Sequence, residues 1–204
     1  MEKKIINKDI KNKIYLLPIW VIFGFISYFL IRIYVADVYY RKSQRLIENG
    51  SDTLVLESVT KAVSLNPYEP NYYRGKAKIL VVRFLSKSSD LNSVKLDILD
   101  NLKKAYSLNP NNLVTIRNSI PLYYFLSVKD INLPAGVDNI DSEFSVYTVE
   151  FFNMVKSKYW NDTGVISSIA KYEKQMGLDN EYEVSVERIK ILRPDLLEWN
   201  ESFR

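Results

Sequence analysis

The sequence predicts an all-α protein in which a single N-terminal transmembrane helix is followed by an α-solenoid of helical hairpins. Three observations predict this. An uncharged apolar run occupies residues 14–31, apolar residues recur at helical spacing from Asp37 onward, and the junction KAxSLNP begins at Lys61 and again at Lys104. A fainter copy begins at Arg188. Recurrence of one junction at a regular period is the signature of repeats that bury their apolar faces against their neighbours.

The composition limits the chemistry that this chain can perform. Its 204 residues are 47% apolar, which is enough for a core, and the net charge of +4 comes from well-mixed acids and bases. A nucleic-acid-binding protein would more often concentrate its basic residues on one face, so no nucleic-acid partner is expected. The chain has no cysteine and no histidine. Disulfides, thiolate metal sites and the usual general base are therefore excluded, and we expect no catalytic residue, no metal and no cofactor.

One enzymatic alternative stays open. Carboxylate pairs occur at Asp97 with Asp100 and at Glu181 with Glu183. Paired carboxylates can perform acid–base chemistry, although the same spacing is common on any solvated helix face.

Residues 1–13 are predicted to be a basic cytoplasmic tail, and residues 14–35 a transmembrane helix. The uncharged run ends at Arg32, and its length of about 27 Å as a helix is close to the hydrocarbon thickness of a bilayer. Tyr15 and Trp20 near one end, with Tyr28 and Tyr34 near the other, suit the two membrane interfaces. A cleavable signal peptide is an alternative, but the run is long and no small-x-small cleavage site follows it. A buried helix of a soluble protein is the third possibility.

The lysines before the span predict its orientation. Five of them precede it, against four basic residues that follow it closely: Arg32, Arg41, Lys42 and Arg45. Because positive charge is favoured on the cytoplasmic side, we expect a cytoplasmic N-terminus and an extracytoplasmic repeat domain at the cell membrane.

Residues 36–204 are predicted to form the repeat domain. In the first unit the packing positions are Tyr39, Ser43 and Leu46 on one helix and Val55, Val59 and Ala62 on the next, with Gly50 in the turn and Pro67 closing the unit. The small residues among them, Ser43 and Ala62, allow two antiparallel helices to approach closely. This pattern resembles a tetratricopeptide repeat.

The second unit repeats the pattern with a longer turn. Its packing positions are Tyr73, Ala77, Leu80, Ile98, Leu102 and Ala105, and Pro110 closes it. The additional residues fall in or near Ser86–Ser93, with Asn92 or Ser93 as the expected N-cap of the next helix.

After Pro110 the repeats become less regular. We expect a helix over Leu113–Val128 that Pro121 kinks or breaks, a long turn over Asp130–Asp141, and an aromatic helix over Ser142–Tyr159. We expect a last pair of helices over Thr163–Gln175 and Tyr182–Leu192, separated by a break at Gly177. Residues 196–204 should form a short helix that caps the stack. The total is three and a half to four degenerate repeats, as estimated roughly from the spacing.

The segments ADVYYRKSQRLIENG and LNPYEPNYYR, together with the second LNPNN junction, are similar to the C-terminal tetratricopeptide region of bacterial O-antigen ligase and polymerase membrane proteins. The resemblance covers roughly Tyr34 to Val128. The multi-span catalytic domain of that family is missing, so the resemblance implies a role beside glycan assembly rather than glycosyl transfer. It also implies that the partner is a multi-span membrane protein.

The tetratricopeptide resemblance implies a concave binding face formed by the first helix of each unit. Asp37 occupies one of these positions, and the expected partner-binding residues are Tyr40, Gln44, Asn71, Arg74, Lys78, Arg117 and Asn118. Arginine and lysine there could hold a carboxylate or an acidic peptide. The alternative is that these are ordinary solvated side chains. The aromatic residues Tyr72, Tyr73, Tyr123, Tyr124, Phe151 and Phe152 are expected in the core.

Two functions are therefore predicted. The first is a membrane-anchored scaffold that recruits a protein partner at the bacterial cell envelope. The second is a non-catalytic subunit, or a severed part, of an O-antigen ligase or polymerase system.

Overall fold

The computed structural model of the chain describes residues 2–85 and 90–195. These residues form eight α-helices: α1 Glu2–Asn49, α2 Asp52–Leu65, α3 Pro70–Arg83, α4 Leu91–Leu108, α5 Leu113–Leu126, α6 Ser142–Lys158, α7 Thr163–Met176 and α8 Asp179–Leu192. A single 3₁₀ turn lies at Val137–Asn139. Within these described ranges no strand occurs, only an isolated bridge between Val128 and Ile140. The predicted all-α class is confirmed.

Helix α1 is one unbroken helix of 48 residues. The sequence predicted a membrane helix over residues 14–35 and the first repeat helix after it, but the structure has no break between them. The physical reason is that no glycine or proline lies between Arg32 and Asn49 to end the helix. The helix ends where Gly50 follows, and the Gly50 N–H donates to the Leu46 carbonyl at 2.8 Å.

Residues 19–34 of α1 expose most of their apolar side chains. Trp20, Phe25 and Tyr34 are 66%, 63% and 70% exposed. Among the described helices, α1 alone is long and apolar enough to cross a membrane, with a mean hydropathy of 2.0 in its most apolar window and 6% of that window buried. A core helix of a soluble protein would bury this surface, so the structure argues against the buried-helix alternative.

The remaining helices pack in antiparallel succession. Each even-numbered helix contacts the odd-numbered helix before it, and α1, α3, α5 and α7 contact one another in that order. The packing residues predicted for α2 and α4 are buried, and so are two of the three predicted for α3, whereas Tyr73 is only half-buried. Val55, Ala62, Ala77 and Ala105 have no exposed surface. Small side chains at these positions bring the paired helices close together.

The aromatic residues lie in the core as predicted, except that Tyr73 is half-buried. The Tyr123 ring stacks on Phe151, with ring centroids 3.9 Å apart, and Tyr124 stacks on Tyr172 at 4.7 Å. These contacts join α5 to α6 and α7.

Two buried lysines connect the later helices. Lys95 of α4 has no exposed surface and donates to Asp141, the N-cap of α6, at 2.6 Å. Lys156 of α6 donates to Glu173 of α7 at 2.5 Å, and Ser185 of α8 donates to the other Glu173 oxygen at 2.7 Å. Charges buried in this way need partners, because an unpaired buried ion is costly.

Several boundary predictions differ from the structure. Helix α5 runs through Pro121 without ending, because packing of its buried neighbours outweighs the lost backbone hydrogen bond. Asp90, rather than Asn92 or Ser93, caps α4 and accepts from the Ser93 N–H at 3.1 Å.

The predicted break at Gly177 agrees with the structure, because Gly177 ends α7 in the left-handed conformation at φ 71°. The predicted capping helix over residues 196–204 lies outside the described residues.

Candidate functional site

A groove of about 500 Å³ opens between α1, α3 and α5. Its polar lining residues are Tyr40, Gln44, Arg74, Lys78 and Asn118, and the rest of the lining is Gly75, Val81, Val82, Pro121, Leu122 and Phe125. All three helices are odd-numbered, so the groove lies along the side where these helices face one another. The sequence predicted a binding surface on the first helix of each unit, and the groove occupies that side.

Five of the seven predicted partner-binding residues line this groove: Tyr40, Gln44, Arg74, Lys78 and Asn118. They come from three helices that are distant in sequence. The fold therefore brings together residues that were identified only by their position within each repeat. Whether they bind a partner stays a prediction.

Asn71 and Arg117 do not line the groove. The Asn71 amide donates to Glu69 at 2.7 Å, and its oxygen accepts from Arg74 Nη2 at 3.2 Å. Asn71 thus orients the Arg74 side chain from behind. Arg117 Nη2 donates to Asp162 at 2.5 Å. Because Asp162 is the N-cap of α7, Arg117 connects α5 to α7.

Asp37, which precedes Tyr40 on α1, is also engaged within the fold. It accepts from the Tyr72 hydroxyl at 3.2 Å and from Arg41 at 3.0 Å. Its carboxylate is therefore partly neutralised at the end of the groove nearer the apolar segment.

Gly75 was missed by the sequence argument. A Cβ atom at this position would lie 2.4 Å from Tyr40 Cε2, so only glycine lets the Tyr40 ring lie against α3. The same ring packs on Tyr72, with centroids 4.9 Å apart. A glycine in a helix interior costs about 1 kcal/mol relative to alanine. A glycine inside the predicted helix was therefore the signal in the sequence that another residue packs closely against α3 at this point.

The apolar floor was also missed. Val81, Val82, Leu122 and Phe125 lie in the later turns of α3 and α5, whereas the prediction took only the early positions of each helix. Val82 is 48% exposed. The groove therefore offers apolar contact as well as polar groups.

The groove is positively charged. Its lining contains Arg74 and Lys78 but no carboxylate, and the carboxylates of Asp37 and Glu69 lie near enough to act on Tyr40 electrostatically. Lys78 is exposed and forms no ion pair within the described part of the chain. Arg74 Nε and Gln44 Nε2 are buried without hydrogen-bond partners among the described residues. These two nitrogens have no accessible surface, so recognition of a carboxylate in the groove would depend on the exposed Lys78 and on the charge of Arg74.

Burial raises the pKa of Tyr40, and the charge and hydrogen bond of Arg74 only partly oppose this effect. The phenol is therefore neutral at physiological pH. It can donate a hydrogen bond to a bound ligand without adding negative charge to the groove.

The carboxylates considered for catalysis lie elsewhere. Asp97 accepts from Lys76 Nζ at 3.2 Å and from the Asn101 amide at 2.7 Å. No group of three or more acidic, histidine or cysteine side chains able to hold a metal occurs among residues whose side chains the structure describes. The Asp97 carboxylate is therefore engaged by neighbouring side chains of the fold.

Comparison of the chain with known proteins identifies no relative. No family model matches the chain, and no curated protein matches it either.

Proposed function

We propose that this chain is a membrane-anchored scaffold whose groove between α1, α3 and α5 holds a segment of a protein partner. The observation that carries the proposal is that residues from three helices converge on one basic, partly apolar groove. Peptide-binding grooves commonly combine a few fixed polar groups with apolar contact surface. The apolar, exposed N-terminal part of α1 supplies the anchor.

We interpret the helix pairs as degenerate tetratricopeptide-like hairpins of an α-solenoid. Gly50 lies at the turn of the first pair, and Pro67 and Pro110 follow the helices that close the first two pairs. The contacts of α1 with α3, and of α3 with α5, support this interpretation. In a solenoid of this kind the first helices of successive units form the concave face.

The similarity of the LNPYEPNYYR segment to O-antigen ligases leads us to propose the bacterial cell envelope as the location. It also suggests a multi-span membrane protein of glycan assembly as the partner. With the five N-terminal lysines in the cytoplasm, the groove would lie outside the cell membrane. Deleting the chain should then alter the length or amount of envelope glycan, and an unchanged glycan profile would remove this part of the proposal.

Site-specific crosslinking tests the groove itself. A photoreactive amino acid replaces Lys78 in the groove of the full-length chain, and in a control chain it replaces Lys104, an exposed lysine of α4. After irradiation in native membranes, we expect one defined protein to be captured from position 78. We expect no capture of that protein from position 104.

An Arg74→Ala substitution in the same crosslinking chain provides the second comparison. Because Arg74 is one of the two cations in the groove lining, its loss should reduce capture about tenfold. Equal capture from positions 78 and 104, or capture that Arg74→Ala leaves unchanged, would show that the groove is not the binding surface.

A further inference from the structure

The groove is rigidly connected to the membrane anchor. The first hydrogen bond between the apolar part of α1 and the packed helices is Arg32 Nη2 to the Ser64 carbonyl, at 3.0 Å. One turn later Ala36 is fully buried beside Ala62 and Tyr72. Helix α1 continues through this region without a break. The height of the groove above the membrane is therefore set by the helix and not by a flexible linker.

That height can be estimated along α1. Arg32 is the first charged residue after the apolar run. At a rise of about 1.5 Å per residue, Tyr40 and Gln44 lie roughly 12 and 18 Å further along the helix axis. The headgroup layer extends only about 5–7 Å beyond the hydrocarbon. The groove thus opens just above the headgroups, within reach of polypeptide that has just left the membrane.

The chemistry of the groove selects the kind of segment. Arg74 and Lys78 lie one turn apart on α3, with no carboxylate in the lining, and Val82 and Phe125 provide apolar contact. Charge complementarity favours a segment that carries aspartate or glutamate among apolar side chains. The exposed Lys78, which forms no ion pair within the described part of the chain, supplies a donor for its carboxylate.

A second copy of this chain is a poor occupant. Its α1 would present Arg41, Lys42 and Arg45 at the same height, and these side chains are exposed. Facing the cations of the groove, they would place like charges together, which disfavours self-association.

We propose that the groove, as part of the proposed scaffold function, binds the acidic juxtamembrane segment of a different membrane-embedded protein, immediately outside that protein's own span. The anchor of this chain and the span of its partner then lie side by side, and both chains contribute to one complex at a fixed distance from the bilayer.

The test uses the full-length chain in vesicles of a zwitterionic lipid and two synthetic probes. The anchored probe has an apolar span of about 20 residues followed directly by a segment of alternating aspartate and leucine. The soluble probe is that segment alone. A variant chain carries seven additional polar, helix-forming residues between Ile31 and Arg32, which raise the groove by about 10 Å with little rotation.

We expect both chains to bind the soluble probe equally, and the raised variant to bind the anchored probe at least about tenfold more weakly, because it loses the high effective concentration at the membrane. Adding the same seven residues before the acidic segment of the anchored probe should restore binding. Lys78→Glu should weaken binding of both probes, whereas Lys104→Glu should change neither.

Three results would overturn the proposal. If the raised variant binds the anchored probe as well as the parent chain does, the groove accepts peptides but not at a defined height, and only the scaffold function survives. If neither probe binds the parent chain, the scaffold function fails as well. If vesicles containing phosphatidylglycerol but no probe occupy the groove, as seen by a fluorophore at position 78, the ligand is a lipid.

Discussion

At the scale of single residues, Gly75 and Tyr40 determine the shape of one wall of the groove. The Tyr40 ring lies where any larger residue at position 75 would place its Cβ atom. Glycine at this position destabilises the helix, but it permits a close contact between α1 and α3.

A double-mutant cycle tests this interpretation. In the parent chain Gly75→Ala should lower the free energy of unfolding by about 1 kcal/mol, because displacement of the Tyr40 ring outweighs the better helix propensity of alanine. In a Tyr40→Ala chain the same substitution should raise the free energy of unfolding by about 0.5–1 kcal/mol, because the obstacle is gone. Chemical denaturation in detergent micelles, followed by circular dichroism, measures both values.

The sign reversal is the decisive outcome of that cycle. A Gly75→Ala effect that is the same in both backgrounds would mean that the ring does not require the glycine. Tyr39→Ala serves as the control background, since Tyr39 lies on the same helix but the three heavy atoms nearest to a Cβ at position 75 all belong to Tyr40.

At the scale of helices, two aspartates cap two helices and pair with two cations of very different burial. Asp141 caps α6 and pairs with Lys95, which has no exposed surface. Asp162 caps α7 and pairs with Arg117, which is 45% exposed. The two positions therefore form a natural comparison between a buried and an exposed ion pair.

We predict that Asp141→Asn lowers the free energy of unfolding by about 3 kcal/mol at neutral pH, because it leaves a buried lysine unpaired. Asp162→Asn should lower it by about 1 kcal/mol or less, because Arg117 remains solvated. Asparagine is also a good N-cap, so neither substitution removes the cap itself. Thermal and chemical unfolding of both variants would check the difference, and equal losses would contradict it.

The pH dependence of stability has a definite sign at Asp141. Burial opposes ionisation, but the hydrogen bond and charge of Lys95 and the backbone N–H groups of Glu143 and Phe144 lower its pKa below 3.8. Its contribution is thus present above about pH 3.8 and is lost as the pH falls through the lower pKa of the folded state. The stability difference between the parent chain and Asp141→Asn should shrink on acidification, and a difference that grows would contradict this sign.

Most helices could be predicted because their boundaries depend on local signals. Gly177 and the LNP junctions each end a helix for reasons contained within a few residues. The continuity of α5 through Pro121 could not be predicted in this way, since it depends on packing against α3, α4 and α6. The groove was predicted in part: repeat position identified Arg74 and Lys78, but only the packed structure shows that Arg117 is held by Asp162.

At the scale of the whole molecule, the exposed apolar part of α1 is the feature that supports the proposed membrane anchor. Phe25 lies near the middle of the predicted span and Tyr34 near its end, and both side chains are exposed. In the anchored arrangement that we propose, the first would face hydrocarbon and the second the interface.

We therefore predict that Phe25→Arg raises the apparent free energy of membrane insertion by about 3 kcal/mol. Tyr34→Arg should raise it far less, because an arginine near the end of the span can extend its charged group to the interface. An insertion assay that reports the inserted fraction of the full chain would compare the two. Similar values for both substitutions would mean that residues 14–35 do not define the span.

In the anchored arrangement that we propose, α1 would transmit a tilt of the span to the groove. The stretch from Arg32 to Asn49 is about 26 Å long, so a change of about 20° in the tilt of the span would move its far end sideways by roughly 9 Å. No hinge lies between the two parts of the helix to absorb that motion. Because bilayer thickness is one influence on the tilt of a span, it would in this arrangement also affect the direction in which the groove opens.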